Sequence, residues 1–266
     1  MTAWLQHVAA VNVLMNGLCN IYGAGHPTAP GNAPTVGSHG GGLPPVLVLL
    51  NQFSNAPVLT MMSSGSVAFC PSCGNFGPDG ANFSLSGPDY NGISGITNFT
   101  GRGLTAVFTD DSEPSNPAPP SLDFAVIGTN YTQLAPQLRQ MFFIGDGVAG
   151  GVPQQIQVPP GATRLYFGLV DGFTFQDTPD GYSDNTGSFT VTISPALALV
   201  IDLATGKPGL AVYGPINSTN RVEYTPVLPA IVWQPLTNVV IQTSPTRCYD
   251  TNATDPARFY RAVHLP

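Results

Sequence analysis

From Pro45 onward the chain alternates short apolar runs with clusters of turn residues. The clearest run covers 188–193, where Phe189, Val191 and Ile193 share one face and Ser and Thr residues occupy the other. A period of two is typical of a strand with one buried face. The same reasoning predicts strands over 46–50, 58–62, 66–69, 104–109, 123–127, 140–144, 156–158 and 164–170. Many short strands separated by turn signals favour an all-β fold with a β-sandwich.

One segment carries a helical pattern, and the character of the chain changes near its end. Within 131–140, Leu134 and Leu138 lie four residues apart, but Pro136 limits a helix to a turn or two. Further apolar runs follow Pro195, at 221–224, 231–233, 239–241 and 258–263. We therefore expect three parts: an N-terminal segment with a Gly/Pro linker over 1–43, a β-sandwich over 44–194 and a small β module over 195–266.

Composition narrows the class of protein further. Only 9% of the residues are charged, with 13 Asp but 2 Glu and 1 Lys. Long exposed helices need Glu, Lys and Arg, so a helix bundle is excluded. Eight cations at a net charge of −7 argue against nucleic acid or an anionic membrane as partner. There is no run of ~18 apolar residues, so we expect no membrane insertion.

The N-terminus leaves two interpretations open. The segment 8–18 is fairly apolar, but no Lys or Arg precedes it. It is therefore either a weak signal peptide or the start of a truncated chain. The Gly/Pro-rich segment 23–45 has no periodic pattern and is expected to be a flexible linker. A charge-poor surface rich in Ser, Thr and Asn is common among secreted bacterial β proteins, so we expect a secreted or cell-surface location.

Two short motifs carry no chemistry of their own. Cys70 and Cys73 form a single CxxC without a second pair or a nearby His, which argues against zinc. They are either a local disulfide or two free thiols. The segment 145–150 (GDGVAG) matches the dinucleotide-binding pattern, but Pro153 and an alternating run follow where a helix is needed. We interpret it as a glycine-rich turn.

Catalytic constellations are weak, so we expect no enzyme. No His lies between 40 and 263, and no GxSxG elbow is present, which argues against a Ser–His triad. Asp110, Asp111 and Glu113 could supply a carboxylate pair for glycoside hydrolysis. The Pro-rich sequence around them is typical of an exposed loop, where carboxylates keep ordinary pKa values. Glycoside hydrolysis by these carboxylates is therefore the least favoured of the functions considered for this sequence.

The acidic segment 171–185 (DGFTFQDTPDGYSDN) differs from the other loops. It carries four of the 13 Asp, and no Lys or Arg occurs between Arg164 and Lys207. It joins the two clearest strands, which hold its ends near each other. Uncompensated carboxylates repel, and short Asp and Asn side chains with loop carbonyls suit the oxygen cage of calcium. The alternative is an acidic turn that simply stays hydrated.

This segment resembles the calcium loop of the LecA-type (PA-I-like) galactophilic lectins. The resemblance lies in Asp171 at the end of a strand and in 179–191 (PDGYSDNTGSFTV). That family has a Pro-Gly-x-Tyr turn, two adjacent amide or acid residues, and Ser-Gly-Ser-Phe opening the next strand. Upstream, 65–69 (GSVAF) and 76–80 (FGPDG) resemble the segment that gives a backbone carbonyl to the same ion. The similarity spans about 44–194.

The resemblance implies a galactose-binding-like β-sandwich with one Ca²⁺ ion. By position, Asp171, Asp184 and Asn185 would give side-chain oxygens, and Gly181 and Phe69 would give backbone oxygens. In the family, two neighbouring sugar hydroxyls complete the calcium shell, so Asp171, Asp184 and Asn185 also belong to the carbohydrate site. A homo-oligomer is compatible with this family.

The chain departs from the family at two places. The calcium loop is longer, with Phe173, Phe175 and Asp177 inserted, and the two aromatic residues are expected to pack or to stack on a sugar. The family also uses a His and a Gln from a neighbouring loop. The corresponding stretch here, 89–92, has no His, and Asn91 would replace the Gln as sugar ligand.

Two functions follow from the sequence. The first is a secreted calcium-dependent lectin that binds carbohydrate, galactose-like or another glycan, through the ion. The alternative is a structural or adhesive cell-surface protein whose calcium is only structural.

Overall fold

The computed structural model describes residues 10–27, 40–53, 56–172, 179–196, 198–202, 208–213, 218–227, 230, 232–242, 246–254 and 258–265. These residues form two compact units, which are described separately. The larger unit covers 12–51 and 60–193, and the smaller unit covers 52–59 and 194–266 together with the residues before 12.

Strands make up most of the larger unit. Its elements in chain order are β1 Val11–Asn16, β2 Val46–Leu49, β3 Val58–Ala68, β4 Ser84–Gly87, β5 Ile96–Thr100, β6 Thr105–Thr109, β7 Leu122–Asp123, α1 Phe124–Ile127, β8 Gln133–Leu134, β9 Met141–Phe143, β10 Val148–Ala149, β11 Val152–Pro153, β12 Gln155–Gln157, β13 Arg164–Gly168 and β14 Thr186–Pro195. Short 3₁₀ turns occupy Ile21–Gly23, Leu50–Phe53 and Tyr182–Asp184.

These strands form several sheets. A five-stranded sheet has the order β1-β14-β3-β12-β8, and a four-stranded sheet has the order β2-β13-β6-β9. A three-stranded sheet, β4-β5-β7, and the β10-β11 hairpin complete the unit. Along β14 buried and solvent-facing residues alternate from Ser188 to Ile193, as a half-buried strand requires. The prediction of an all-β, sandwich-like fold is confirmed.

Three strands of the four-stranded sheet, β13, β6 and β9, are buried on both faces. All five residues of β6 are buried, and so are four of the five in β13. On one face, Phe108 of β6 stacks on Phe142 of β9, with ring centroids 5.5 Å apart. The next residue, Phe143, points to the opposite face, where its ring contacts Phe99 of β5 and Phe124 of α1. Aromatic packing on both faces therefore fixes this sheet inside the unit.

Two predicted elements have the wrong type. The strand predicted over 123–127 is the helix α1, because the Asp123 side chain accepts the Ala125 N–H as an N-cap and Gly128, with φ 75°, ends the turn. The helical pattern over 131–140 forms no helix. It contains β8 instead, which pairs in parallel with β12 through Leu134 and Ile156. Among the described residues, no helix is long and apolar enough to cross a membrane.

The short motifs form the local structures that their sequences allow. Cys70 and Cys73 are joined by a disulfide, which decides between the two alternatives. Gly145 and Gly147 have positive φ in a turn that leads into β10, and no helix begins there. A Cβ on Gly147 would lie 1.7 Å from the Met61 carbonyl oxygen, so this position requires Gly. The glycine pattern therefore serves close backbone packing.

The N-terminal residues pack within the larger unit. The apolar segment considered as a signal peptide contains β1, an edge strand of the five-stranded sheet. In the predicted linker, Leu43 exchanges backbone hydrogen bonds with residues 18 and 20. The linker residues 28–39 lie outside the described residues.

The smaller unit is also built of strands. Its elements are β15 Ala198–Asp202, β16 Gly209–Tyr213, β17 Thr219–Thr225, β18 Gln234–Val240, β19 Thr246–Tyr249 and β20 Phe259–Leu265. They form the sheets β15-β16-β19 and β18-β17-β20. Among the described residues, one hydrophobic cluster of this unit contains five buried side chains: Leu210, Val212, Val222, Val239 and Ile241. The run predicted at 231–233 precedes β18, and Ile231 lies outside the described residues.

Buried charge accompanies this cluster. Asp250 is fully buried, and its carboxylate accepts bonds from Arg258 (2.5 Å) and from the Tyr260 hydroxyl (2.9 Å). The Arg258 guanidinium stacks on Tyr224, 4.1 Å from the ring centroid. Buried Glu223 likewise pairs with two Arg side chains, each at 2.6 Å. Since each buried carboxylate has its cation, the desolvation penalty is offset.

We expect Phe108→Ala to destabilise the larger unit by about 3–5 kcal/mol, because it removes a buried ring and leaves a cavity against Phe142. Val126 is 83% exposed, so Val126→Ala is the matched control and should change stability by less than about 0.5 kcal/mol. Urea unfolding of both variants measures the difference. Equal stability of the two would contradict the assigned core.

We expect Asp250→Ala to cost about 3–5 kcal/mol, because Arg258 would remain buried without its anion. Thr254→Ala, at an exposed position of the same unit, is the control and should be nearly neutral. Thermal unfolding followed by calorimetry checks both. A near-neutral Asp250→Ala would show that the pair adds nothing to the fold.

Candidate metal centre

The acidic loop joins the end of β13 to the start of β14, within the larger unit. After Gly168 the chain continues through Leu169, which bridges to Asn20, to Asp171 and Gly172. It is described again from Pro179 to the start of β14. Residues 173–178 lie outside the described residues, and with them the predictions for Phe173, Phe175 and Asp177.

The buried Tyr182 side chain ties the two ends of the loop together. Its hydroxyl donates to the Leu169 carbonyl (2.9 Å) and accepts the Asp171 N–H (3.0 Å). Burial, and after it the Asp171 charge, raises the pKa of Tyr182 well above its ordinary value. The hydroxyl therefore stays protonated and can keep donating to Leu169. Tyr182, the Tyr of the predicted motif, therefore holds the two ends of the loop together.

Residues from the N-terminal part of the chain pack beside the loop. The Asn185 amide donates to the Gly17 carbonyl (2.9 Å), and the Tyr182 N–H donates to the Gly40 carbonyl (3.3 Å). A Cβ on Gly42 would lie 2.8 Å from the Tyr182 ring, so only Gly fits there. These contacts fix the orientation of Asn185: its NH₂ group is used, and its oxygen is left for another partner.

Three buried oxygen atoms of the loop have no hydrogen-bond partner among the described residues. They are Asp171 Oδ2, Asp180 Oδ1 and Asn185 Oδ1. Their residues are only 7, 9 and 4% exposed, respectively. A buried acceptor without a donor costs free energy, and the cost is larger for a carboxylate. Three such acceptors among the described residues make this loop a candidate cation site.

The Asp171 carboxylate shows the electrostatic consequence. Burial raises its pKa to about 7, against the lowering effect of hydrogen bonds from the Gly172 N–H and the Asn185 side chain. The neighbouring charge of Asp184 raises the pKa further, while Arg102 lowers it. Burial therefore disfavours the negative charge of Asp171, and a nearby positive ion would stabilise that charge.

The loop gathers four of the five predicted metal residues. Asp171 interacts with Asn185 through a hydrogen bond and with Asp184 through its charge. Gly181 adopts φ 89° and ψ 0°, and a Cβ there would lie 3.4 Å from Asp171 Oδ1. Its backbone therefore runs directly beside the carboxylate.

Asp180 is a candidate ligand that sequence reasoning missed. Its N–H faces the Asp171 carbonyl at 3.4 Å, and its own Oδ1 is one of the three unpartnered oxygens. In the motif this position belongs to the Pro-x-x-Tyr turn, so the pattern alone indicates a turn residue. The signal that the sequence does carry is the clustering of four Asp in one segment.

The donor set suits calcium better than a softer metal. Among the described residues, no three His, Cys, Asp or Glu side chains lie close enough together to hold a metal. A centre here would therefore combine at most two carboxylates with an amide oxygen and backbone carbonyls. That mixture of hard oxygen donors is typical of calcium, which takes ~6–8 of them. The residues therefore fit the predicted ion.

Phe69, the fifth predicted metal residue, contacts Arg102. Its ring lies under the Arg102 guanidinium, 5.8 Å from ring centroid to carbon, and Arg102 in turn acts on Asp171 through its charge. Among the described residues, no hydrogen bond joins Phe69 to Asp171 or Asn185. Its role as a backbone ligand stays a prediction.

Asn91 lies in a tight turn with φ 50°, and its role as a sugar ligand also stays a prediction. The structure adds an unexpected neighbour. His26, from 65 positions earlier, places Nε2 2.9 Å from the Asn91 carbonyl and Nδ1 3.0 Å from the Glu113 carboxylate. Both ring nitrogens are therefore occupied. A separation of 65 residues left no local signal for this contact.

The carboxylates at 110–113 are satisfied by their neighbours. Asp110 accepts the Ser112 N–H at 3.0 Å, and Asp111 accepts the Thr163 hydroxyl at 2.7 Å. Glu113 is 60% exposed and pairs with His26. Asp110 lines a cavity of about 570 Å³, whose other lining residues include Pro119, Pro136, Arg139, Pro159 and Pro160. None of the acidic loop's residues line this cavity.

Comparisons with known proteins leave the loop to be interpreted on its own geometry. Neither models of protein families, nor curated proteins, nor solved structures give a match to this chain. The likeness to the LecA-type lectins therefore rests on the loop residues and on the upstream segments 65–69 and 76–80.

Proposed function

We propose that the acidic loop binds one calcium ion and that the bound ion recognises carbohydrate. The observation that carries the metal is the set of three buried, unpartnered oxygens on Asp171, Asp180 and Asn185. One divalent cation would satisfy all three at once. Calcium would supply two things when bound: compensation of the buried charge, and open coordination positions for neutral oxygen ligands.

Carbohydrate is the ligand class that the resemblance of the loop favours. Sugar hydroxyls are neutral oxygen donors, so adjacent hydroxyls can occupy calcium positions without adding charge. Asp184 is partly exposed and Ser183 is exposed, so this side of the loop reaches solvent. In this proposal Asp171, Asp180 and Asn185 hold the ion, while Asp184 orients the sugar hydroxyls beside it.

The exposed Cys70–Cys73 disulfide supports a secreted location for such a protein, because disulfides persist in oxidising compartments. A galactose-like sugar, an extracellular glycan partner and self-association belong to the same proposal.

One observation favours a second function, a β-sandwich protein with purely structural calcium. The three unpartnered oxygens are fully buried. An ion held by them would lie deep in the loop, where its role would be to connect the ends of β13 and β14. The two functions share the ion and differ only in whether sugar reaches it.

Calcium should raise the melting temperature of the protein. At about 100 times its dissociation constant the ion adds about 2.7 kcal/mol to folding, or about 5–10 °C for a chain of this size. Calorimetry in calcium and in EGTA measures the shift. Identical melting in both would exclude the metal site.

Asp180→Asn should lose most of this calcium shift. In EGTA the variant should be at least as stable as the native protein, because it removes a buried carboxylate oxygen that lacks a partner. Asp111→Asn, at an exposed carboxylate outside the loop, is the control and should keep the full shift. A full shift in Asp180→Asn would remove this residue from the ligand set.

Glycan binding should require calcium if the ion recognises carbohydrate. A glycan array probed with the labelled protein should show signals in calcium that disappear in EGTA and in Asp184→Ala. Calcium-dependent melting without any glycan signal would instead identify the ion as structural. Glycan signals that persist in EGTA would place the sugar away from this loop.

A further inference from the structure

The Cys70–Cys73 disulfide lies in a surface turn of the larger unit. The Cys73 N–H donates to the Cys70 carbonyl (3.1 Å), and Pro71 and Ser72 between them are exposed. Both cysteines are partly exposed. The sulfur–sulfur bond is therefore within reach of a small thiol in solution.

This bond contributes little to holding the fold together. A cross-link stabilises mainly by restricting the unfolded chain, and the effect falls as the closed loop shortens. Here only two residues separate the cysteines, so the unfolded chain loses little freedom. An exposed disulfide with a small structural effect belongs to the class that is reactive or regulatory.

A cation stands beside one of the two sulfurs. The Arg102 Nη2 atom lies 3.4 Å from Cys73 Sγ. Its guanidinium is surrounded by aromatic rings, with centroids at 4.8 Å for Phe76 and 5.3 Å for Phe83. Aromatic surroundings remove water, so the charge acts strongly on its neighbour.

Among the described residues this guanidinium forms no ion pair, although its charge acts on the Asp171 carboxylate from beyond ion-pair distance. Its Nε–H is buried without an acceptor, and among the described residues no carboxylate lies within ion-pair distance. Arg102 also has φ 68°, an uncommon conformation for a residue with a side chain. The fold therefore places against Cys73 a cation that has no ion-pair partner among the described residues.

We propose that Cys70–Cys73 is a thiol–disulfide exchange site in which Arg102 stabilises the leaving Cys73 thiolate. The thiolate of a small thiol attacks Cys70 Sγ, the Sγ–Sγ bond breaks, and its electron pair stays on Cys73. A second thiolate then attacks the small-thiol sulfur of the mixed disulfide and releases Cys70. The two small thiols are oxidised to their disulfide, and the protein gains two electrons. Cys70 takes up one proton, Cys73 stays a thiolate beside Arg102, and the second proton of the two thiols goes to solvent.

Arg102 favours reduction of the disulfide over its formation. A cation next to a cysteine stabilises the thiolate, which leaves faster and makes the reduced state easier to reach. Reduction therefore gives Arg102 the ion-pair partner that it lacks among the described residues of the oxidised protein. This argument uses only the disulfide and its neighbours, so it does not depend on the proposed calcium.

Equilibration of the full chain in glutathione redox mixtures at pH 7 tests the proposal. After acid quenching and alkylation, mass spectrometry of the peptide holding both cysteines gives the reduced fraction. We expect Arg102→Gln to need a glutathione ratio more reducing by at least about tenfold. Arg102→Lys, which keeps the charge, should recover part of the difference. Arg221→Gln, in the smaller unit, is the control and should match the native protein.

The folded protein provides a second measurement that needs no variant. Unfolding in urea separates Arg102 from Cys73, so the same disulfide should become harder to reduce than in the folded chain. A structural disulfide behaves in the opposite way. Equal midpoints for Arg102→Gln and the native protein would overturn the proposal, and so would a disulfide that is easier to reduce when unfolded.

Discussion

The candidate site depends on one hydroxyl group. Tyr182 is fully buried, and its oxygen accepts from the Asp171 backbone and donates to the Leu169 carbonyl. These two bonds hold the end of β13 against the start of β14. These bonds hold Asp171, at one end of the loop, close to Asn185, at its other end. The acidic side chains therefore converge because an aromatic residue is anchored first.

The sequence predicted the regular parts of this architecture well, for a physical reason. A half-buried strand must alternate, and β14 does so from Ser188 to Ile193. The error at 123–127 shows the limit of the pattern. Its apolar residues resemble a strand, but one side-chain hydrogen bond from Asp123 captures the Ala125 N–H and starts a helical turn. The segment is too short for its hydrophobic pattern to distinguish a strand from a helix, and the N-cap determines its secondary structure.

The candidate site was predictable to the extent that it is local in sequence. Asp171, Gly181, Asp184 and Asn185 lie in one loop, and charge clustering with a short motif pointed to them. Burial is a property of the fold, so the sequence could not distinguish Asp180 from a hydrated turn residue. His26 and Asn91 are 65 residues apart in the sequence, so their contact arises only from the tertiary fold. The cation beside Cys73 was equally hidden, since Arg102 follows 29 positions later.

The two units use their few charges differently. In the smaller unit, Asp250 and Glu223 are buried with Arg partners, and these pairs accompany a cluster of five buried apolar side chains among the described residues. In the larger unit, the buried carboxylates of the acidic loop have no Arg or Lys within ion-pair distance among the described residues. Among the described residues, the smaller unit therefore pairs its buried carboxylates with Arg, whereas the acidic loop of the larger unit does not.

The packing of residues 17 and 40–42 beside the loop limits where a recombinant fragment of this protein can begin. Gly17 and Gly40 supply the acceptors for the Asn185 amide and the Tyr182 N–H. A recombinant fragment that begins at residue 44 would retain every acidic residue of the loop. It would nevertheless release Asn185 to rotate and open a water path to Tyr182. Domain dissection by sequence motif alone would thus preserve the ligands and lose the geometry that orients them.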